Sequence, residues 1–327
     1  MTLIDVHTHV VPKVFPDNPA PDTERRWPCM HCSGADQAQI RIENKNFRDL
    51  DSRSWDIDRR LHDMAIAGVT RQVLSPMPEL LSYWFAPSVG LEMCRWMNAT
   101  IANMVAASPK SFDGLGIVPL QDPSLAAREL ARLREEGFAG VEVGSNINGL
   151  LLSDPCFDEF FAEAESLGMA IFVHALHPVG RERLADLPDL IPFGAFPLDT
   201  ALTAIAMIRS GLLVRYPGLR LGFSHGGGGL LPLVHRLHKG WQMSEGFGGM
   251  LPEPPQAYAQ RFFYDNLVYD TGYLNYLATE FAPGQIFCGT DYPYSIMEAD
   301  PASVMESLPS TLSTSMRSGA ALEFLGR

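Results

Sequence analysis

Residues 3–10 read Leu-Ile-Asp-Val-His-Thr-His-Val, a short apolar run that carries two histidines separated by one residue. A short apolar run rich in β-branched residues is typical of a buried strand. Successive side chains of a strand point to opposite faces, so His7 and His9 point to the same face. An HxH pair by itself also fits two buried polar histidines. Its meaning depends on where other polar residues fall along the chain.

Seven further runs of this kind follow the first one. They cover residues 71–75, 114–120, 140–144, 170–175, 219–224, 262–269 and 285–289. Amphipathic stretches of helix length lie between several of them, such as 124–136 before Gly137 and 199–215 before Pro217. Eight strand–helix repeats predict an α/β fold, a (β/α)8 TIM barrel, with an open doubly wound sheet as the alternative. We expect residues 1–327 to form a single barrel domain.

Residues 11–55 do not follow the alternation of strands and helices. The stretch is rich in Pro, Asp and Arg and comes directly after the first strand. A loop this long is more often functional than idle, and in a barrel it lies over the C-terminal face, where substrates bind. We therefore expect 11–55 to be an inserted loop or small subdomain over the active site.

Cys29 and Cys32 form a CxxC motif within this inserted segment. A zinc ribbon requires a second pair at matching spacing, and a redox CxxC precedes a helix in a βαβ unit. The sequence has no second pair, and the motif is expected to lie in a loop. A structural or incidental role is favoured, with a local metal site as the alternative.

The composition excludes several classes of partner. A formal net charge of −13 and a pI near 5.1 argue against nucleic acid and anionic membrane surfaces. The N-terminus lacks a basic region leading into an apolar one, and no window of about 18 residues is continuously apolar, so neither a signal peptide nor a membrane span is expected. Five scattered cysteines indicate reduced thiols and a cytoplasmic location.

Three more polar residues close predicted strands. His174 ends the fifth strand, His225 the sixth and Asp291 the eighth. Together with His7 and His9 they stand at the C-terminal ends of their strands, where barrel enzymes carry their chemistry. Imidazoles with one carboxylate suit a borderline divalent cation such as zinc. The sequence therefore predicts a metal site at this end of the barrel.

The order of these motifs resembles the amidohydrolase superfamily. It comprises HxH, a later histidine, His-Gly-Gly-Gly at 225–228 and Gly-Thr-Asp-Tyr-Pro at 289–293. Asn-Phe-Arg at 46–48, Trp-Asp at 55–56 and the segment 236–241 are similar to one branch, the family of 2-amino-3-carboxymuconate-6-semialdehyde decarboxylase and related aromatic acid decarboxylases. The resemblance runs from residue 3 to about residue 293. It implies a metal-dependent carbon–carbon lyase.

The resemblance also implies the roles of particular residues. One metal would be held by four side chains, those of His7, His9, His174 and Asp291. His225 would act as general base and acid. Binuclear members of the superfamily have a lysine at the end of the fourth strand, whereas residues 141–145 here read Val-Glu-Val-Gly-Ser. One zinc ion is therefore expected, and Glu142 is the residue that could bridge a second metal.

Two arginines are candidates for binding a substrate carboxylate, because a guanidinium offers a planar fork of donors. They are Arg48, in the inserted segment, and Arg236; the resemblance implies that Arg236 reaches into the site of a neighbouring subunit, in a homodimer. Phe47 and His177 are further candidates for contacting substrate. The segment 174–178, His-Ala-Leu-His-Pro, departs from the decarboxylase family, in which proline and tryptophan follow the ligand histidine directly. This departure leaves the exact substrate open.

The functional prediction is a decarboxylase acting on a small unsaturated or aromatic carboxylate. Two routes remain open: addition of water to a conjugated substrate before loss of carbon dioxide, or protonation of an aromatic ring carbon. A hydrolase or hydratase of a lactone, an amide or an enol acid is the first alternative. A barrel that has lost activity and serves as a binding protein is the second, and the complete set of predicted site residues argues against it.

Overall fold

The computed structural model describes residues 2–243 and 250–327. Its strands, in chain order, are β1 (Ile4–Val10), β2 (Cys29–Cys32), β3 (Gln37–Ile42), β4 (Lys45–Asp51), β5 (Arg71–Pro76), β6 (Phe112–Gly116), β7 (Gly140–Gly144), β8 (Asn146–Ile147), β9 (Leu150–Leu151), β10 (Ala170–His174), β11 (Arg220–Phe223), β12 (Phe263–Asp265) and β13 (Ile286–Phe287). The α-helices in the same part of the chain are α1 (Ile57–Ile66), α2 (Pro87–Ala107), α3 (Pro123–Glu135), α4 (Asp158–Leu167), α5 (Phe196–Arg209), α6 (Leu212–Arg215), α7 (Leu230–Met243), α8 (Pro255–Ala259), α9 (Thr271–Tyr276), α10 (Pro301–Glu306), α11 (Ser310–Thr314) and α12 (Ala320–Leu325).

Eight of the strands form one parallel sheet in the order β1-β5-β6-β7-β10-β11-β12-β13. The two ends of this order meet, because the amide of Val6 donates to the carbonyl of Cys288 at 2.8 Å and that of His9 to the carbonyl of Tyr292 at 2.7 Å. Helices follow most strands around the outside. The prediction of a (β/α)8 barrel is confirmed, and the open doubly wound sheet is excluded by the closure.

Some predicted element boundaries are wrong. The third barrel strand was expected at 114–120 but is Phe112–Gly116, and the seventh was expected at 262–269 but ends at Asp265. In both cases the chain leaves the sheet while its next apolar side chains, Ile117 and Val118 after the third strand and Leu267 after the seventh, stay buried, so the apolar pattern continues beyond the strand. The helix expected at 199–215 is divided into α5 and α6, since Gly211 between them adopts a φ of +70°.

One end of the barrel is closed by apolar packing. Phe324 of α12 lies 5.1 Å from the ring of Phe287 and 6.5 Å from that of Phe172, and all three are fully buried. Replacing such a ring by alanine typically costs about 3–5 kcal/mol of stability. Because this end is filled, polar side chains collect at the opposite end, where the strands terminate.

The inserted segment contains an antiparallel sheet in the order β2-β3-β4. Its hairpin turn places Glu43 and Asn44 at positive φ, the two-residue geometry that suits a twisted hairpin. Ala38 and Ile40 of β3 are buried. The expectation that the CxxC motif lies in a loop is wrong, because it forms β2. No disulfide joins the cysteines, all five of which are free.

One helical segment of the described chain, Ile191–Arg209, is long and apolar enough by composition to cross a membrane, with a mean hydropathy of 1.5. It consists of a π-helical turn, Ile191–Ala195, followed by α5. The segment carries a buried Asp199, which accepts a hydrogen bond from Ser145, and a buried Thr203, which donates to the carbonyl of Ser145 at 2.6 Å. These bonds attach the helix to the loop after β7, as expected of a helix that packs against the barrel.

Candidate metal centre

Four polar side chains converge where the barrel strands end. They are His7 and His9 of β1, His174 at the end of β10 and Asp291 after β13, and all four are buried. One ligand atom from each lies within 4.8 Å of the others. The Nε2 atom of His9 is 3.1 Å from Nε2 of His7 and 3.1 Å from Oδ1 of Asp291. The structure thus gathers the four predicted metal ligands in one cluster.

The outward-facing nitrogen of each histidine is held by an acceptor. Nδ1 of His7 lies 2.7 Å from Oδ2 of Asp265. Nδ1 of His9 bonds the carbonyl of Pro76, and Nδ1 of His174 bonds the carbonyl of Ala175, both at 2.9 Å. A carbonyl oxygen only accepts, so the proton of a neutral ring stands on Nδ1. This tautomer leaves a lone pair on each Nε2, and such outer partners orient the histidines of metal sites.

When the three rings are neutral, the converging atoms have no proton to share with one another. His174 Nε2 and Asp291 Oδ1 are buried without a hydrogen-bond partner in the described part of the chain. Lone pairs and a carboxylate oxygen held 3.1 to 3.6 Å apart repel one another unless a cation lies between them. Three imidazole nitrogens and one carboxylate oxygen form a donor set typical of zinc and similar divalent ions. The residues present therefore fit a divalent metal.

The electrostatics of the cluster also favour a positive charge. Burial lowers the pKa values of His9 and His174, which keeps these rings neutral. Burial also lowers the pKa of His7, but the hydrogen bond to Asp265 and the charge of Asp291 outweigh this effect. They raise the pKa of His7 to about 9. The pKa of Asp291 stays below its usual range despite burial, because His9 and His7 stabilise the carboxylate. In the absence of metal, the cluster binds a proton at His7 instead.

His225 stands beside the cluster, directly after β11. Its ring centroid lies 5.2 Å from that of His174 and 5.5 Å from that of His7. Burial lowers its pKa. Its backbone is left-handed, with a φ of +57°. Non-glycine residues adopt this conformation in only a few per cent of cases, and such backbone strain is frequent at functional sites.

The glycines after His225 provide room for the backbone. Gly228 has a φ of +59°, and a Cβ added to it would lie 2.0 Å from the carbonyl oxygen of Pro197. No side chain larger than hydrogen fits there. This close approach gives a packing reason for the glycine run beside His225.

Asp265, the last residue of β12, was not recognised in the sequence. Its Oδ2 accepts from His7 Nδ1 and from the amide of His225, and its Oδ1 accepts from the amide of Gly226, the last two at 2.8 Å. One buried carboxylate thus connects a predicted metal ligand to the backbone of His225. The signal was available, since Asp265 is a polar residue at the end of a barrel strand, but the predicted strand ran on to residue 269 and concealed it.

Glu142 lies inside the barrel, on the middle of β7. Its Oε2 is 3.9 Å from His9 Nδ1, the nitrogen turned away from the cluster, and neither carboxylate oxygen has a hydrogen-bond partner in the described part of the chain. Burial raises its pKa to about 8. It is not among the four clustered ligands. This geometry gives no support to Glu142 as a bridge to a second metal.

A cavity of about 1660 Å³ opens over the cluster and is lined by residues of the barrel and of the inserted sheet. Phe47, Arg48 and His177 line it together with His174, His225 and Asp291. The guanidinium carbon of Arg48 lies 4.3 Å above the ring of Tyr294, which is itself 5.1 Å from the His9 ring. Three of the four predicted substrate contacts therefore share one cavity.

Arg236 is the exception among the predicted substrate contacts. It lies on α7 with its side chain exposed and is not part of the cavity lining. Within one subunit it is thus separated from the cluster.

Comparisons with known proteins agree with this architecture. The family model described as Amidohydrolase matches residues 4–307. The 2-amino-3-carboxymuconate-6-semialdehyde decarboxylase of Dictyostelium discoideum is 35% identical over 332 residues, which cover 99% of this chain and 91% of that protein. A gamma-resorcylate decarboxylase of Polaromonas is 30% identical over 200 residues, covering 58% of this chain and 61% of that one.

Solved structures agree as well. The 5-carboxyvanillate decarboxylase of Sphingomonas paucimobilis superimposes with a TM-score of 0.84 at 25% identity, covering 99% of both chains. A dihydroxybenzoic acid decarboxylase of Polaromonas, solved with bound manganese and the inhibitor 2-nitroresorcinol, shares the fold with a TM-score of 0.78 at 23% identity, covering 99% of this chain and 97% of that one. With the family model and the Dictyostelium relative each matching most of its length, the chain belongs to the amidohydrolase family.

Proposed function

We propose that this protein is a metal-dependent decarboxylase of a small aromatic or unsaturated carboxylate. The observation that carries the proposal is the buried cluster of ligand atoms of His7, His9, His174 and Asp291, open to a cavity that His225 and Arg48 also line. The decarboxylase relatives support the type of reaction. The four clustered side chains would hold the ion, which would supply positive charge to stabilise the electron pair left on the substrate when carbon dioxide departs.

His225 moves the proton. Decarboxylation breaks the bond between a substrate carbon and its carboxylate carbon, leaves the electron pair on the substrate carbon and requires a proton there. Because burial lowers the pKa of His225, the ring is neutral at neutral pH and can accept a proton from solvent or substrate before returning it to carbon. Asp265 holds the backbone of His225 in the conformation that places its ring against the cluster.

Arg48 binds the substrate through its carboxylate or another acidic group. Its side chain is only partly exposed, lies on the ring of Tyr294 and lines the cavity, so its donors are held in place before substrate arrives. Phe47, on the same strand, is 42% exposed and offers an apolar surface to a ring. His177, in the loop after β10, lines the same cavity and contributes a further contact to the substrate.

Zinc is the proposed ion, because three imidazoles and one carboxylate suit its ligand preference. Manganese is the competing choice, since the Polaromonas decarboxylase was solved with it. A site with three nitrogen ligands binds zinc more tightly than manganese in the usual order of divalent metals. Competitive loading of metal-free protein with both ions, followed by metal analysis, tests this choice. A preference for manganese at equal concentrations contradicts it.

We further propose that the working unit is a cytoplasmic homodimer in which Arg236 of one subunit serves the site of the other. The exposure of Arg236 outside its own cavity supports this arrangement. We expect Arg236→Ala and His225→Ala each to be inactive as homodimers. Mixed dimers of the two contain one site with both residues intact, so mixing should restore about half of the activity per mixed dimer. No restoration by mixed dimers that have been isolated contradicts a contribution across the interface.

The domain organisation proposed from the sequence, one unit over 1–327 with 11–55 covering the site, has its own test. The inserted sheet contributes Phe47 and Arg48 to the cavity wall. Replacing the hairpin of β3 and β4 with a short loop should leave a folded barrel that binds metal but turns over poorly. If the protein no longer folds after this replacement, the inserted sheet is part of the folded barrel and not a separate cover over the site.

The reaction itself is tested by measuring carbon dioxide release from hydroxybenzoates and carboxymuconate semialdehydes. Protein loaded with zinc should release carbon dioxide from at least one member, and metal-free protein from none. Hydrolysis of lactones or amides without release of carbon dioxide from any compound contradicts the decarboxylase and favours a hydrolase.

A further inference from the structure

In the cavity wall, His177 belongs to a group of three polar residues with Arg26 and Glu79. Glu79, in the turn after β5, accepts from Nη2 of Arg26 at 2.8 Å and from Nε2 of His177 at 2.9 Å. Its side chain is 8% exposed, and Arg26, Glu79 and His177 all line the cavity. The three residues come from separate segments, the inserted segment, the turn after β5 and the loop after β10. Their meeting point is therefore set by the fold and not by neighbouring sequence.

The aromatic ring of Trp84 supports this group from one side. The ring of His177 stacks on it at 5.2 Å with an interplanar angle of 24°, and the guanidinium carbon of Arg26 lies 3.8 Å from its centroid. Stacking fixes the plane of the imidazole, and the bond to Glu79 fixes its rotation. Both contacts restrict His177 to one orientation.

The backbone of His177 is strained and firmly held. Its φ is +45°, in the left-handed region that non-glycine residues rarely adopt. Asn146 donates to the carbonyl of Leu176 at 2.8 Å, and Asp199 accepts from the amide of Val179 at 2.9 Å, so the loop is anchored on both sides of the histidine. Strain of this kind persists only where the surroundings determine the conformation, and it concentrates at ligand sites.

The hydrogen bond to Glu79 determines what His177 offers to the cavity. A carboxylate that binds a guanidinium accepts hydrogen bonds only, so Nε2 of His177 carries the proton that it donates. In the neutral form of the ring, Nδ1 of His177 therefore bears a lone pair. The one hydrogen bond that the described chain makes to the ring is at Nε2, and the side chain is 26% exposed.

We propose that Nδ1 of His177, oriented by Glu79, is a specificity site that accepts a hydrogen bond from a hydroxyl or amino group of the substrate. This inference rests on the proposed decarboxylase function and names the substrate class, which is carboxylates with an O–H or N–H donor on the ring or chain away from the reacting carboxylate. A substrate without such a donor leaves the lone pair of His177 unpaired in the complex, which weakens its binding.

The matched test uses pairs of dihydroxybenzoates and their monomethyl ethers, because a methoxy oxygen accepts but cannot donate. The wild-type protein loaded with metal should prefer the hydroxyl form of the pair that reaches His177, by about tenfold or more in kcat/KM. His177→Phe retains an aromatic ring for Trp84 but has no acceptor, and it should bring this ratio to within about twofold. His62→Gln, at an exposed histidine on α1, should keep the wild-type ratio.

Glu79→Gln tests the orientation of the proton with almost no change in shape. Arg26 only donates, so the amide oxygen must face it and the amide nitrogen must face His177. His177 then accepts at Nε2 and carries its proton on Nδ1, which no longer accepts from the substrate. The preference for the hydroxyl form should disappear. Nitrogen NMR of the histidine rings should show the protonated nitrogen exchanged from Nε2 to Nδ1 at His177.

These outcomes separate the inference from the function on which it rests. Release of carbon dioxide with an unchanged ratio in both His177→Phe and Glu79→Gln overturns the specificity site and leaves the decarboxylase in place. No release from any compound overturns the decarboxylase, and the NMR measurement then decides the orientation of His177 by itself. A tautomer that does not change in Glu79→Gln overturns the proposed role of Glu79.

Discussion

Two segments of this chain carry short motifs of residues that can bind metals, and they differ in burial and in the partners around them. The His7–His9 pair lies on β1, buried, with its outer nitrogens bonded to Asp265 and the carbonyl of Pro76. Cys29 and Cys32 lie on β2, exposed, and no metal-capable cluster of the described residues includes them. Whether such a motif can hold a metal therefore depends on the residues that other strands place beside it, here His174 and Asp291.

The largest effect is expected from breaking the buried cluster itself. Asp291→Ala removes the one carboxylate ligand and leaves three lone pairs without a negative charge beside them. Metal affinity should fall more than the 10–100-fold that is usual for loss of an outer partner. Titration of metal-free protein with zinc against a chelator measures this change. The double variant Cys29→Ser with Cys32→Ser, at the exposed motif, should bind zinc like the wild type, and a similar loss there contradicts the comparison.

The next largest effect separates holding the metal from using it. His225→Gln removes the ring that accepts and returns the proton, while the four clustered ligands remain. We expect metal content to stay at the wild-type level and kcat to fall about 10²- to 10⁴-fold. Metal analysis and carbon dioxide release on the same preparation check both parts. Turnover near that of the wild type in a variant with full metal content disproves the role of His225.

The stability of the metal-free protein should depend on pH in a particular direction. The folded pKa of His7, about 9, exceeds the ordinary value of 6.5, so its contribution is complete below pH 6.5 and is lost as pH rises through 9. The shift corresponds to at most about 3 kcal/mol. Burial raises the pKa of Asp5 to about 7 and that of Glu142 to about 8. These two groups therefore also make the folded state less stable as pH rises, in a lower pH range than His7 does.

Urea unfolding of protein in chelator, between pH 6 and 9.5, measures this loss. Bound zinc replaces the proton of His7, so protein saturated with metal should lose less stability over the same range. If the free energy of unfolding of the metal-free protein rises with pH over this range, His7 is not protonated in the folded state.

A smaller effect should follow from a change at the outer partner of His7. In Asp265→Asn, an amide nitrogen placed at His7 Nδ1 requires the ring to accept there, which puts the proton on Nε2, towards the cluster. Metal affinity should fall about 10–100-fold without loss of any ligand. Asp154→Asn, at a partly exposed aspartate outside the cavity lining, is the matched control. Unchanged affinity in Asp265→Asn shows that the tautomer is not set by this bond.

The sequence predicts the barrel well because its strands are buried runs that end at turn residues. The fourth barrel strand was predicted with its observed bounds, Gly140–Gly144, and the fifth within one residue of His174. Prediction is less accurate where a buried loop continues the apolar pattern of a strand, as it does beyond Asp265. Burial alone cannot distinguish a strand from a packed loop.

The site shows the same limit. The four clustered residues could be found because each is a conspicuous ligand type at the end of a strand. Asp265 and Glu79 act through contacts with residues that are distant in the chain, and no spacing rule relates Glu79 to His177 or Asp265 to His7. The pairing within the inserted sheet was also outside prediction, since polar strands of an insertion lack a buried apolar run.

The most direct measurement is a titration of metal-free protein with zinc, with carbon dioxide release from the best substrate followed at each addition. The rate should rise in proportion to zinc and level off at one equivalent per chain, and Asp291→Ala should show no such rise at the same concentrations. A rate that is independent of metal, or one that continues to rise to two equivalents, contradicts a single ion held by His7, His9, His174 and Asp291.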